Sequence, residues 1–106
     1  MRLETVTLLF NDPVVIVRIG LIPGYAKFDP ETGENRFEQD RIIKEVRYLI
    51  PGRAPTVRHF QPRPVPQFVR VNATASRITV EIVDTTEPGG LDFTAISEIY
   101  VYGYPQ

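Results

Sequence analysis

A chain of 106 residues with 42% hydrophobic and 24% charged side chains is long enough for one hydrophobic core and too short for two. Twelve basic against thirteen acidic residues leave a formal net charge of −1, which gives no electrostatic ground for nucleic acid or an anionic membrane as partner. The absence of cysteine removes disulfides, thiolate metal sites and a cysteine nucleophile.

The opening Met-Arg-Leu-Glu-Thr-Val lacks the apolar core of a signal peptide, and no apolar run approaches membrane-spanning length. The expectation is a single domain over residues 1–106 with no membrane insertion. Export would need another segment or another protein.

Val6 to Phe10 and Val14 to Ile22 read as two strands joined by Asn11-Asp12-Pro13, a strong turn. In the second strand Val15, Val17, Ile19 and Leu21 alternate with Val14, Ile16, Arg18 and Gly20. Both faces are apolar near its start, which predicts a central strand. Pro23 to Arg41 follows as a long connection carrying charges, prolines and the aromatic residues Tyr25, Phe28 and Phe37. Ile42 to Ile50 is strand-like again, with Ile43, Val46 and Ile50 directed inward, and it stops at Pro51-Gly52. The prolines at 55, 62, 64 and 66 make the next segment an edge or a connection. Gln67 to Asn72 and Ile78 to Asp84 supply two more strands, with Asn72-Ala73-Thr74 read as a turn. A loop at Pro88-Gly89-Gly90 then leads into the last strand. About six strands without a helix predict an all-β fold, an antiparallel two-sheet β-sandwich.

Four pieces lie in a recognisable order: Val6-Thr7-Leu8-Leu9-Phe10 with Pro13-Val14; Gly20-Leu21-Ile22-Pro23-Gly24-Tyr25-Ala26-Lys27; Asn35-Arg36 with Asp40-Arg41-Ile42; and Pro88-Gly89-Gly90 with Thr94-Ala95-Ile96-Ser97-Glu98-Ile99. Together they resemble the discoidin, or coagulation-factor type C, family of galactose-binding-like jelly rolls. The branch is that of the glycan-binding domains attached to bacterial NAD-glycohydrolases and actinobacterial surface proteins. The resemblance implies a non-enzymatic carbohydrate-binding module, with a glycan or cell-wall polysaccharide as partner. The place of work would be the cell surface, within a larger protein or complex. Domains of this family carry a further N-terminal segment with a tryptophan before the strand at Val6. This chain has no tryptophan, so the resemblance implies a truncated sandwich with an open sheet edge.

Sugar recognition needs an aromatic face for C–H groups and planar polar groups for hydroxyl pairs. Tyr25, Lys27, Asp29, Asn35, Arg36 and Arg41 in the long connection are the candidate ligand residues. The competing account is that Tyr25 and Arg36 fasten the loop to the sandwich. Glu98 stands where calcium-binding relatives place an oxygen ligand, the other ligands belonging to the N-terminal segment this chain lacks; the expectation is no cofactor, with a structural calcium as the alternative. The plainer account pairs Glu98 with Arg18 or Arg47. His59, the single histidine, reads as a surface residue. Arg53, Arg58, Arg63 and Arg70 form a basic run among prolines, suited to an acidic polysaccharide or to solvating an exposed segment.

Tyr100, Tyr102 and Tyr104 alternate and share one face, either as a contact surface or as the closing layer of the sandwich. The alternative function is a structural or assembly protein, a virion or surface-complex subunit. Its contacts, to a second copy or a partner chain, would run through the tyrosine row and the edge at Val6 to Phe10. No residue set offers a nucleophile with its base.

Overall fold

The apolar residues on either side of Asn11-Asp12-Pro13 belong to one strand. In a computed structural model, which describes residues 4–24, 42–86 and 98–106, strand β1 runs from Glu4 to Leu21. It is followed by β2 (Ile43–Leu49), β3 (Thr56–His59), β4 (Gln67–Thr85) and β5 (Ile99–Pro105). The strands form one antiparallel sheet in the order β3-β2-β4-β1-β5. This all-β, antiparallel architecture is compatible with the sandwich class. Among the described residues it has five strands where the sequence predicts about six.

Two expected turns are corrected by this arrangement. Asn11-Asp12-Pro13 and Asn72-Ala73-Thr74 both lie inside long strands, because β1 and β4 pair with each other from Glu4↔Ile82 to Leu21↔Gln67. The ladder absorbs the turn-prone residues as irregularities. While β1 advances from Leu9 to Val14, β4 advances only from Arg77 to Ala75. A proline, which has no N–H to donate, is tolerated at such a bulge. Asn72 takes a left-handed φ of 51°, a conformation asparagine accepts more readily than most residues. It sits where the register steps from Ile16↔Ala73 to Arg18↔Arg70.

A second irregularity sets which side chains face inward. Between Ile16 and Arg18, β1 carries one residue more than β5, so strict alternation breaks at Val17. Ile16, Ile19 and Leu21 are therefore all fully buried, while Arg18 is exposed. The expected division into Val15, Val17, Ile19, Leu21 and Val14, Ile16, Arg18, Gly20 fails for this reason. They join Ile43, Val46 and Tyr48 of β2 and Ile78 and Val80 of β4, none of which has any exposed surface. Burying each such aliphatic side chain contributes roughly 1.5–3 kcal/mol.

The sheet leaves backbone edges, and arginines cover one of them. β2 pairs with β4 only over Thr79–Thr85, so among the described residues the first half of β4 has no strand beside it opposite β1. There Arg58 Nε donates to the Phe68 carbonyl at 3.2 Å, and Arg53 Nη1 donates to the carbonyls of Val71 and, at 3.1 Å, Asn72. Two members of the basic run thus satisfy strand carbonyls. The proline-rich segment supplies edge strand β3, and Gln67 ties its end down through bonds of 2.8 and 2.9 Å to the Gln61 backbone. On the other side β5 reaches along β1 only as far as Val14. Residues 4–13 of β1 have no strand beyond them among the described residues, and Leu9 there is 75% exposed.

Candidate functional site

The outward face of β5, β1 and β4 collects aromatic and guanidinium groups that lie far apart in the sequence. Cross-strand pairing sets Phe68, Gly20 and Tyr100 in one row and Arg70, Arg18 and Tyr102 in the next. Gly20 is required by the first row. A Cβ at that position would fall 2.4–2.8 Å from three atoms of the Phe68 ring, so the ring lies directly over the glycine. Phe68 then meets Tyr100 with centroids 5.9 Å apart and Tyr102, edge to face, at 5.6 Å, within the range favoured by aromatic quadrupoles.

Arg18 lies over both rings. Its guanidinium carbon is 5.0 Å from the Phe68 centroid and 4.4 Å from that of Tyr102, so the rings offset part of its charge. Val17, Arg18, Phe68, Arg70, Tyr102 and Tyr104 line a shallow cleft of about 380 Å³. Tyr102 is 46% and Tyr104 58% exposed. Two of the three tyrosines therefore stand exposed on this face, with Tyr100 half-buried.

The other expected site residues fall elsewhere. Tyr25, Lys27, Asp29, Asn35, Arg36 and Arg41 lie outside the described residues, as do the turn at Pro88-Gly89-Gly90 and the stretch Phe93 to Ser97. The pairing of Glu98 with Arg18 or Arg47 is corrected. The Glu98 carboxylate accepts the hydroxyl of Tyr100, Arg47 is paired with Glu81, and Arg18 is stacked on its rings. Among the described residues no three His, Cys, Asp or Glu side chains come together to hold a metal ion. His59 lies at the surface with Nε2 2.9 Å from Glu45.

The hydrogen bond to Glu98, followed by partial burial and the nearby charge, holds the Tyr100 hydroxyl above its usual value near 10. A raised pKa favours the protonated folded form. The stabilisation is complete below pH ~10, the unfolded value, and fades as pH rises through the folded value. Ultraviolet titration should therefore show Tyr100 ionising earlier in Glu98→Gln than in the wild type, with Tyr100→Phe identifying the signal. Identical titrations would count against the bond.

Phe68 reads in the sequence as apolar mass, Arg18 as a partner for Glu98, and Arg70 as one of a basic run. The signal that could have found them is glycine at position 20 within an otherwise bulky strand, which marks a close approach by a ring or backbone.

No protein-family model and no curated protein matches this chain. Its fold is similar to the NMR structure of the translocation domain of the Streptococcus pyogenes NAD+-glycohydrolase. The TM-score is 0.66 at 17% identity, over 92% of this chain and 85% of that one. The likeness is one of fold.

Proposed function

We propose that this chain is a non-enzymatic carbohydrate-binding module of the discoidin type, with the Arg18, Phe68 and Tyr102 face as its ligand surface. The observation that carries the reading is the half-exposed Tyr102 ring beside a cleft held open by Phe68 over Gly20. Flat aromatic faces take up the C–H side of a sugar, and the adjacent guanidinium groups donate to its oxygens. Likeness in fold to the translocation domain of a larger protein is in keeping with service as one module of a larger protein. The module works at the cell surface on glycan or cell-wall polysaccharide, and its affinity for a single site is raised by multivalency.

A thermal-shift screen against a glycan panel tests this. A ligand at a hundred times its dissociation constant adds about 2.7 kcal/mol of stability, a rise of roughly 10 °C for a domain of this size. Tyr102→Ala should weaken the binding about tenfold, and Tyr102→Phe should retain most of it. A panel without any shift, or a shift indifferent to Tyr102→Ala, counts against this face.

One observation favours a second reading, assembly through the sheet edge. Residues 4–13 of β1 have no strand beyond them among the described residues, and this stretch has Leu9 exposed and few charges to blunt it. Light-scattering mass separates the two. A dimer that Leu9→Lys returns to monomer supports assembly, and a monomer throughout excludes it.

A further inference from the structure

We infer that the ligand of this face is an acidic glycan, one whose carboxylate or sulfate groups are met by Arg18 and Arg70 while its sugar ring lies on Tyr102. The inference rests on the carbohydrate reading above and names the class of sugar.

Its basis is an arrangement that weakens the free protein. Arg18 and Arg70 are direct cross-strand partners on one exposed face, and like charges directly opposite each other in a sheet repel. The neighbouring rings offset part of the charge on Arg18. Among the described residues no carboxylate lies within ion-pair distance of either arginine. Among the described residues Arg47 is paired with Glu81, and Arg53 and Arg58 donate to strand carbonyls.

The cleft is lined by Arg18 and Arg70 with aromatic and aliphatic groups, and among the described residues none of its lining is acidic. The nearby acid, Glu98, holds the Tyr100 hydroxyl. Two guanidinium groups without a carboxylate partner among the described residues, beside aromatic faces, match a planar carboxylate or a sulfate on a sugar, since the guanidinium fork pairs with such anions bidentately. A neutral sugar would leave the repulsion between the arginines in place.

The test compares four probes on the intact chain by calorimetry: oligogalacturonate and its methyl ester, and a sulfated galactan oligosaccharide with its unsulfated counterpart. The first pair tests carboxylate and the second sulfate. The expected result is that the acidic member of at least one pair binds about tenfold more tightly than its neutral partner. Raising the salt concentration should reduce that advantage.

Arg70→Gln should remove most of the advantage while leaving the melting temperature unchanged or higher, because the repelling pair is gone. Arg18→Gln gives a second reading of the same quantity. Equal binding of acidic and neutral members, insensitive to Arg70→Gln, would overturn the acidic specificity and leave the carbohydrate reading standing. Failure of all four probes, joined with a silent glycan panel on folded protein, would overturn both.

Discussion

Tyr48→Ala is expected to lower stability by about 4 kcal/mol, whereas Tyr48→Phe should leave it unchanged or raise it by about 1 kcal/mol. The ring is among the largest fully buried side chains and packs in the cluster formed by β1, β2 and β4. Truncating it removes the transfer energy of the ring and leaves a cavity that the rigid sheet cannot close. Its hydroxyl is a different matter. It is buried without a hydrogen-bond partner among the described residues, so the folded state bears the desolvation of a polar group with no compensating bond.

The same burial drives the hydroxyl pKa upward, only partly countered by the Arg58 guanidinium. Since the raised value favours the protonated folded form, this contribution is complete below pH ~10 and is lost as pH climbs above it. Denaturant unfolding of both variants at neutral pH and near pH 11 measures these effects. Phenylalanine should retain more of its neutral-pH stability in alkali than the wild type does. A marked loss of stability in Tyr48→Phe at neutral pH would show that the hydroxyl has a partner.

Gly103→Ala is expected to cost about 3 kcal/mol and to dismantle the candidate site as well. A Cβ at this position would lie 2.0 Å from the Val15 carbonyl oxygen, 3.0 Å from its carbon and 3.2 Å from the Ile16 Cα. These are backbone atoms of a central strand, flanked there by β4 and β5, so no rotamer change relieves the clash. β5 must move away instead, taking with it Tyr100, Tyr102 and Tyr104. Guanidinium unfolding would record the loss, and a glycan that binds the wild type should bind the variant poorly even below its melting temperature. Full stability in Gly103→Ala would mean that β5 approaches β1 less closely than this pairing requires.

The two variants separate what holds the domain together from what it presents to a ligand. Tyr48 belongs to the buried face, which is continuous from β2 through β4 to β1. Gly20 governs the opposite face, where the Phe68 ring lies over it, and Gly103 lets β5 come close enough to β1 to bring its tyrosines to that face. The candidate surface lies on paired strands β4, β1 and edge strand β5, which hold side chains more rigidly than a loop does, so on the proposed reading its aromatic and guanidinium groups lose little freedom on meeting a ligand.

The sequence by itself determined the class of fold. Runs of β-branched residues at Val14–Val17, Ile78–Val83 and Ile42–Val46, together with prolines placed between them, left no room for a helix. The burial of Ile43, Val46 and Ile50 was legible from their apolar character, and the common face of the three final tyrosines from alternation, a local property of an extended chain. Register is not local. Whether Asn11-Asp12-Pro13 turns the chain or bulges within a strand depends on how much of β4 is available to pair with it. The partner of Arg18 depends on which residues of β4 and β5 fall opposite. Only the tertiary structure decided that the bulge at Val17 exposes Arg18 between buried isoleucines and sets it beside Arg70. It likewise decided that Phe68 lies over Gly20, because these groups come together through pairings between strands some fifty to eighty residues apart, where no local preference reaches.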